Sequence, residues 1–371
     1  MRIALVILGG VDRSGRERVI PALLWLIERL ARRHRLHVFM LRHHPQPCTF
    51  PLLGAAIHDL GPPSGPPGLR SLFQARHLLR ALRHSGPFDV IHGYWAVPAG
   101  LLAALAGRRL GIPTVVTFDS GELVCVRAFD YGLQCSWKGR LAVAITARLA
   151  TRLHVCSAHM ERLAHGAGLA PARIPLGVDA RIFERRADPM DGPPWRLLHV
   201  ASLNRVKDQP TLLRALARVV QQVPDVHLDV VGEDTLGGAV QAECAARGLA
   251  RHVSFHGFQA TDRLATFYQR AHLLVLPSRH EAAGVVVLEA AASGLATIGT
   301  AAGYVADWSP AGAYSVPAGD DAALAEGILM LLGDSARRVR IAREAERRAR
   351  AHDADWTAHA IEQLYGAVSA R

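Results

Sequence analysis

The sequence predicts an α/β protein of two domains, each a parallel sheet with helices on both faces. Short apolar runs alternate with stretches of helical periodicity along the whole chain, the order expected of βα units. Most of the runs are continuously apolar and do not alternate with polar residues, as strands buried on both faces require. Near the middle, residues 180–194 contain Pro189, Gly192, Pro193 and Pro194, the composition of a linker. At 371 residues the chain is long enough for two cores.

Taken in order, Ile3 to Leu8 is the first strand, residues 13–17 open a helix that runs to about Arg33, and Leu36 to Leu41 is the second strand. The stretch from His43 to Pro67 is rich in Pro and Gly and reads as loop around one short strand. Leu69 to His84 is helical, with Arg70, Arg76, Arg80 and Arg83 among leucines. A strand at Asp89 to Gly93, a helix from about Ala99 to Leu110, and strands at Gly111 to Phe118 and Leu153 to Ser157 follow. Between the last two, residues 119–138 form a long irregular loop, of a length that is usually functional. The expected division is a first domain over 1–180, a linker over 181–194 and a second domain over 195–354. A final helix, 355–371, is expected to return to the first domain. Strands of the second domain are expected at Trp195 to Ala201, His227 to Gly232, Val253 to Phe255, Leu273 to Leu276 and Ala296 to Gly299.

Half of the residues are hydrophobic and 20% are charged, so the chain is an ordinary globular protein with no low-complexity block. No apolar stretch reaches a bilayer span, and the amino terminus reads as a buried strand, not a leader. Five scattered cysteines without a Cys-x-x-Cys pair point to neither a disulfide framework nor a zinc site, and a reducing cytosol is the expected location. The net charge of +11 is unevenly placed. Residues 1–180 carry 22 Lys+Arg against 10 Asp+Glu, and residues 181–371 carry 21 against 22. The first half is therefore expected to face something anionic.

The most informative stretch is His280-Glu281-Ala282-Ala283-Gly284-Val285, running on to Leu288-Glu289-Ala290 and Gly294, directly after an apolar strand that ends in Pro277-Ser278. A helix starting near Gly284 would present free amides at its first turn, with Glu281 in the loop before it and Glu289 on its second turn. Amides suit phosphate oxygens, and ionised carboxylates suit sugar hydroxyls. This stretch resembles the Glu-x7-Glu signature of the family 4 glycosyltransferases, with Ala283 where that family usually has Phe. The resemblance also covers Ile174-Pro175-Leu176-Gly177-Val178-Asp179, close to the family's interdomain motif, and so spans nearly the whole chain.

The resemblance implies a GT-B fold, two Rossmann-like domains facing a cleft, and it assigns further residues. Arg205 and Lys207, after the strand ending at Ala201, would neutralise a leaving diphosphate; Ser202 stands where the family usually has Arg, and Arg205 is the substitute. Glu281 would hold sugar hydroxyls and Glu289 the ribose, with Ala283, Gly284 and Val285 at the diphosphate. Glu233, Gly257 and Phe258 follow two further strands and resemble the nucleotide-base pocket; a plain strand-to-helix turn explains Glu233 equally well. On the acceptor side, Ser14 and Gly15 form a tight turn where the family usually has two glycines, and His92 and Glu122 are candidate acceptor contacts. Asp119 occupies the position of a His that touches the donor sugar in many relatives, and a carboxylate accepts from hydroxyls but cannot act as imidazole does.

The implied activity is transfer of a sugar from a nucleotide diphosphate sugar, with retention, to a glycan or lipid-linked acceptor in cell-surface or exopolysaccharide synthesis. The resemblance implies that Arg205, Lys207 and the helix start near Gly284 stabilise the leaving diphosphate instead of a metal, so neither metal nor other cofactor is expected. The cationic half suits an anionic acceptor or the inner face of an anionic membrane. Two rival classes stand beside it. A sugar-nucleotide epimerase or phosphorylase on the same fold would need no acceptor, or would need phosphate. A basic non-catalytic binding protein would use its charge for nucleic acid, but the arginines are not interleaved with aromatics expected to be exposed, and nucleic acid is not an expected partner.

Overall fold

Along the first strand, β1 (Arg2–Ile7), Ile3, Leu5 and Ile7 fall on one face and Ala4 and Val6 on the other, and each set is buried in its own core. That is why the run is apolar throughout. In this computed structural model the described residues are 1–63, 65–184 and 192–370. They form two units, Met1–Leu176 with Ala354–Arg371, and Gly177–Asp353. Residues 185–191 of the expected linker lie outside the described residues.

The first unit continues with β2 (Arg35–Met40), β3 (Cys48–Leu52), β4 (Ala55–Asp59), β5 (Val90–Tyr94), β6 (Thr114–Phe118), β7 (Arg152–Val155) and the short β8 (Ala172–Arg173). Their order across the sheet is β3-β4-β2-β1-β5-β6-β7-β8, and every pairing is parallel except β3 with β4. The helices Pro21–Ala31 and Ala354–Ser369 cover one face, and Arg70–Ser85 and Leu101–Leu110 cover the other. The final helix is thus part of this unit's core. Tyr365 and Ile361 are buried there, and Arg29 pairs with Asp355 at 2.9 Å.

Three expectations need correction here. The first helix begins at Pro21, not near residue 13. Side chains of Asp12 and Ser14 bind the amides of Ser14, Arg16 and Glu17, holding those residues in a loop, and Pro21 supplies a φ suited to the first helical position. The stretch after His43 holds two strands, not one, joined at Leu53-Gly54, both at positive φ, as a two-residue hairpin turn requires. Pro51 is tolerated because β3 is the edge strand. Third, Cys125 and Cys135 form a disulfide inside the irregular loop over 119–138. Sequence spacing could not show this, since the loop folds back by a bridge between Val126 and Tyr131 that brings the two cysteines together.

The second unit is a six-stranded parallel sheet of β9 (Trp195–Val200), β10 (Val226–Val231), β11 (Val253–Phe255), β12 (Leu273–Leu276), β13 (Ala296–Thr300) and β14 (Tyr314–Val316). The order is β11-β10-β9-β12-β13-β14. The chain therefore builds outward from β9 in one direction and then, at β12, in the other. At such a switch point the loops leaving the two adjacent strands diverge and open a crevice at the carboxyl edge. The same reversal falls between β1 and β5 in the first unit.

With one disulfide and the three free thiols of Cys48, Cys156 and Cys244, thiol titration of the denatured, unreduced protein is expected to give three groups per chain, and five after reduction. Five before reduction would remove the staple.

Candidate active site

The loop after β12 carries Ser278, Arg279, His280 and Glu281 to the edge of the second unit's sheet, beside the loop after β9. The two loops are tied together: the Arg279 amide donates to the Val206 carbonyl at 2.7 Å, and the Arg279 guanidinium pairs with Asp208. This closure brings Lys207 Nζ to 2.6 Å from Glu281 Oε1, and the Ser278 hydroxyl donates to the same oxygen at 2.6 Å. Burial alone would raise the Glu281 pKa, but Lys207 and Ser278 outweigh it, and the carboxyl is held below its ordinary value. Glu281 is thus ionised at neutral pH in a largely buried place.

Beyond Glu281 the chain turns at Gly284, which has φ +82 and sits directly before the helix Val285–Ala292. A side chain would be strained at that φ, and no side chain caps the helix's first turn. Its leading amides remain available, with their partial positive charge, next to Glu281 and Lys207. Ala283 is buried, and its carbonyl accepts from the Tyr304 amide at 2.7 Å.

The turns after β9, β10 and β11 join along the same edge. The Gly232 amide donates to the Gly257 carbonyl at 2.9 Å, and the Leu203 amide donates to the Glu233 carbonyl at 2.8 Å. A Cβ at Gly232 would lie 1.9 Å from the Ala201 carbonyl oxygen, so only glycine allows this approach. Glu233 and Arg205 are exposed, and Phe258 is 50% exposed beside Gly257 at φ +63.

In the first unit a pocket of about 450 Å³ opens at the carboxyl ends of β1, β5 and β6, lined by Leu8, Trp95, Val97, Ser120, Glu122 and Tyr131 among others. Trp95 holds φ +69, unusual for a bulky residue, and its carbonyl accepts from the Gly100 amide at 2.8 Å. Ser14 and Gly15 lie in the exposed loop after β1, with Gly15 at φ +63.

Residues 180–348 match the family described as glycosyl transferases group 1, and residues 19–177 match a glycosyl transferase 4-like domain. A glycogen synthase of Mycobacterium tuberculosis is 30% identical over 292 residues, covering 75% of this chain and 68% of that one. Among solved structures, a sucrose-phosphate synthase from Thermosynechococcus elongatus covers 100% of both chains at a TM-score of 0.83 and 21% identity. The Anabaena protein HepE, in complex with UDP-glucose, covers 99% of this chain and 100% of its own at a TM-score of 0.78 and 18% identity. The chain belongs to the GT-B glycosyltransferases of family 4 type.

For a glycosyltransferase of this family, the structure groups Lys207, Glu281, Gly284 and Val285 at the switch point of the second unit, with Arg205 exposed in the same loop as Lys207. Other expected residues are placed differently. His92 is not a surface contact. It is fully buried between Tyr365 and Thr117, each at 2.6 Å, and burial lowers its pKa to about 3. Glu122 is also buried. It accepts from the amides of Ala96 and Ser120 at 3.2 and 2.7 Å and so shapes the loop at the pocket wall; burial raises its pKa against those amides. Asp119 accepts from the Cys156 thiol at 2.7 Å, and that thiol is kept protonated by burial and by Asp119 itself. Glu289 is 2% exposed and accepts from the Tyr268 hydroxyl at 2.6 Å, on the inward side of its helix.

Ser278, Arg279 and Asp208 build the site although sequence reading did not single them out. Ser278 had a signal, being the polar residue that ends a buried strand after Pro277. Arg279 and Asp208 had none, because their pairing spans 71 positions of chain that only the sheet order brings together.

Burial raises the Glu289 pKa from 4.5 to about 7. Below about pH 4.5 the group is protonated folded and unfolded, and its stabilising contribution is complete. As pH rises toward 7 the unfolded carboxyl ionises first and that contribution is lost. The stability advantage of the native protein over Glu289→Gln is therefore expected to shrink by on the order of 3 kcal/mol between pH 4.5 and 7.5, measured by denaturant unfolding. A difference independent of pH would place Glu289 in water.

Proposed function

We propose that the second unit binds a nucleoside diphosphate sugar at the switch point and that transfer proceeds with retention, without a metal ion at the diphosphate, to a glycan or lipid-linked acceptor in cell-surface or exopolysaccharide synthesis. The observation that carries this reading is the convergence of Lys207, the ionised Glu281 and an uncapped helix start within one crevice. As the glycosidic bond breaks, negative charge grows on the leaving diphosphate. The ammonium of Lys207, the amides after Gly284 and the exposed Arg205 are donors already in place for that charge, and such donors favour the transition state over the ground state. Glu281, which only accepts, would hold hydroxyls of the transferred sugar. Its pairing with Lys207 keeps the carboxylate charged and holds both side chains in place, so little reorganisation is needed when donor binds. The retaining step would run on one face of the sugar, with the leaving phosphate taking the proton of the acceptor hydroxyl. The complex of HepE with UDP-glucose supports a nucleotide sugar as donor.

The acceptor reading rests on the first unit. Its helix Trp137–Leu149 exposes Trp137, Leu141 and Ile145 at 64%, 50% and 38%, a stripe at helical spacing flanked by Lys138, Arg140 and Arg148. The helix Arg70–Ser85 exposes Leu72 and Phe73 near its start and carries four arginines. The basic half therefore does combine with exposed aromatics, contrary to the expectation from sequence. An apolar stripe between cations suits the headgroup region of an anionic membrane, and would place the protein on the inner face. Among the described residues no helix is long and apolar enough to cross a membrane.

Lys207→Ala is expected to lower kcat/KM for the nucleotide sugar by ~30- to 1,000-fold, equivalent to about 2–4 kcal/mol of transition-state stabilisation. Donor binding, followed by thermal shift, should survive removal of divalent metal with EDTA. Activity that needs Mg2+ or Mn2+ at the diphosphate would overturn the metal-free reading, and product formed without acceptor would favour an epimerase.

Binding to vesicles containing anionic lipid is expected to weaken at least ~10-fold in Trp137→Asp/Leu141→Asp and to fall with salt. Equal binding to neutral vesicles, or tighter salt-dependent binding to nucleic acid, would reject the membrane reading.

A further inference from the structure

Away from the pocket and the donor residues, the carboxyl edge of the first unit gathers a second set of polar groups from three adjacent strands. Asp12 follows β1, His43 and His44 follow β2, and Asp59 ends β4. The ligand-type atoms of Asp12, His43 and His44 all lie within 4.8 Å of one another. Asp12 Oδ2 is 3.3 Å from His44 Nε2 and 3.7 Å from His43 Nε2.

Three details set this cluster apart from exposed polar side chains that simply meet water. First, the His43 side chain is only 7% exposed, and its buried Nε2 has no hydrogen-bond partner although it faces Asp12. At 3.7 Å the two atoms are too far apart for a hydrogen bond. Second, Asp59 is buried and its oxygens are taken up on one side. Oδ2 is 2.7 Å from His44 Nδ1 and accepts from the His44 amide at 2.8 Å, while Oδ1 accepts from the Gly61 amide at 2.8 Å. A carboxylate so placed fixes the proton on Nδ1 and turns the Nε2 lone pair toward Asp12, which is the arrangement that orients a metal-binding imidazole. Third, Asp12 Oδ1 accepts from the Ser14 amide at 2.8 Å, so that Oδ2 is the oxygen turned to the histidines.

We propose that Asp12, His43 and His44 bind one divalent ion of the zinc class, with Asp59 as the group that orients His44. A tetrahedral ion with bonds near 2.0–2.1 Å has ligand atoms about 3.3 Å apart, which the two Asp12 distances approach without rearrangement of the strands. Two imidazoles and one carboxylate suit Zn2+ or a similar transition ion, whereas Mg2+ and Ca2+ prefer all-oxygen sets. Three protein ligands leave a coordination position for an oxygen from outside the chain. Cys48 lies near His44 and Asp59, but that grouping would use the Nδ1 side already held by Asp59. The site belongs to the first unit alone and is independent of the metal-free reading of the diphosphate.

The test uses tag-free full-length protein, stripped with EDTA, dialysed against Zn2+ and assayed for bound metal, with Co2+ as a second probe read by its visible absorption. One ion per chain is expected for the native protein and for Cys48→Ser, with a tetrahedral or five-coordinate Co2+ spectrum, and no uptake of Mg2+. His43→Ala and His44→Gln should each lose the ion while retaining a cooperative melt, and Asp59→Asn should bind ~10- to 100-fold more weakly. If either histidine variant fails to fold, Asp12→Asn serves in its place. Native protein that binds no more Zn2+ than His43→Ala, or a His44 ring that remains doubly protonated by NMR in the presence of Zn2+, would overturn the proposal in favour of an imidazolium bridging two carboxylates.

Discussion

A carboxylate that is buried and still ionised has to be held so by its neighbours, and Glu281 is held by Lys207 and Ser278. In a low-dielectric crevice the attraction between the pair is stronger than in water, and removing either partner leaves an uncompensated charge. The pair therefore constrains both loops. It requires the loop after β9 and the loop after β12 to stay in register, which the Arg279 amide and the Arg279–Asp208 pair also enforce. Donor groups for a diphosphate and acceptors for sugar hydroxyls then stand side by side before any ligand arrives.

The sheet order makes such a meeting possible. β9 and β12 are neighbours in space though separated by two strands and three α-helices in sequence, and the chain reverses its direction of building between them. β1 and β5 repeat the device in the first unit, where the pocket lies between the loops they release. Burial on both faces of each sheet leaves the strand ends as the places where polar side chains can gather without loss of hydrogen bonds. The His92–Thr117–His154 chain shows the reverse case, in which polar groups inside the first unit are satisfied by one another and by Tyr365. Both histidines are kept neutral by burial, and His92 holds the final helix to the sheet through Tyr365.

The chemistry legible in advance was the chemistry carried by short spans of chain. Glu281 and Gly284 are three positions apart, and Lys207 lies seven positions beyond its strand, so local patterning placed them at strand ends. Residues misread from sequence share one trait: their roles depend on exposure. His92 lies within β5 and Glu122 follows β6, and neighbours from distant segments cover both. The hairpin of β3 and β4 escaped notice because its turn, Leu53-Gly54, puts a leucine at positive φ, a place usually marked by Asn or Asp.

By itself the order of residues determined two parallel α/β sheets, the edge at which loops would carry function, and the family signature after β12. These follow from periodicity and from backbone preferences that act over a few residues, and so are written in consecutive positions. Only the tertiary structure decided which carboxylates are charged, which histidines lie inside, that Cys125 meets Cys135, and that Asp12, His43, His44 and Asp59 converge. Charge state depends on desolvation and on partners within a few ångströms, and those distances are set by strand order across a sheet, which no stretch of sequence records.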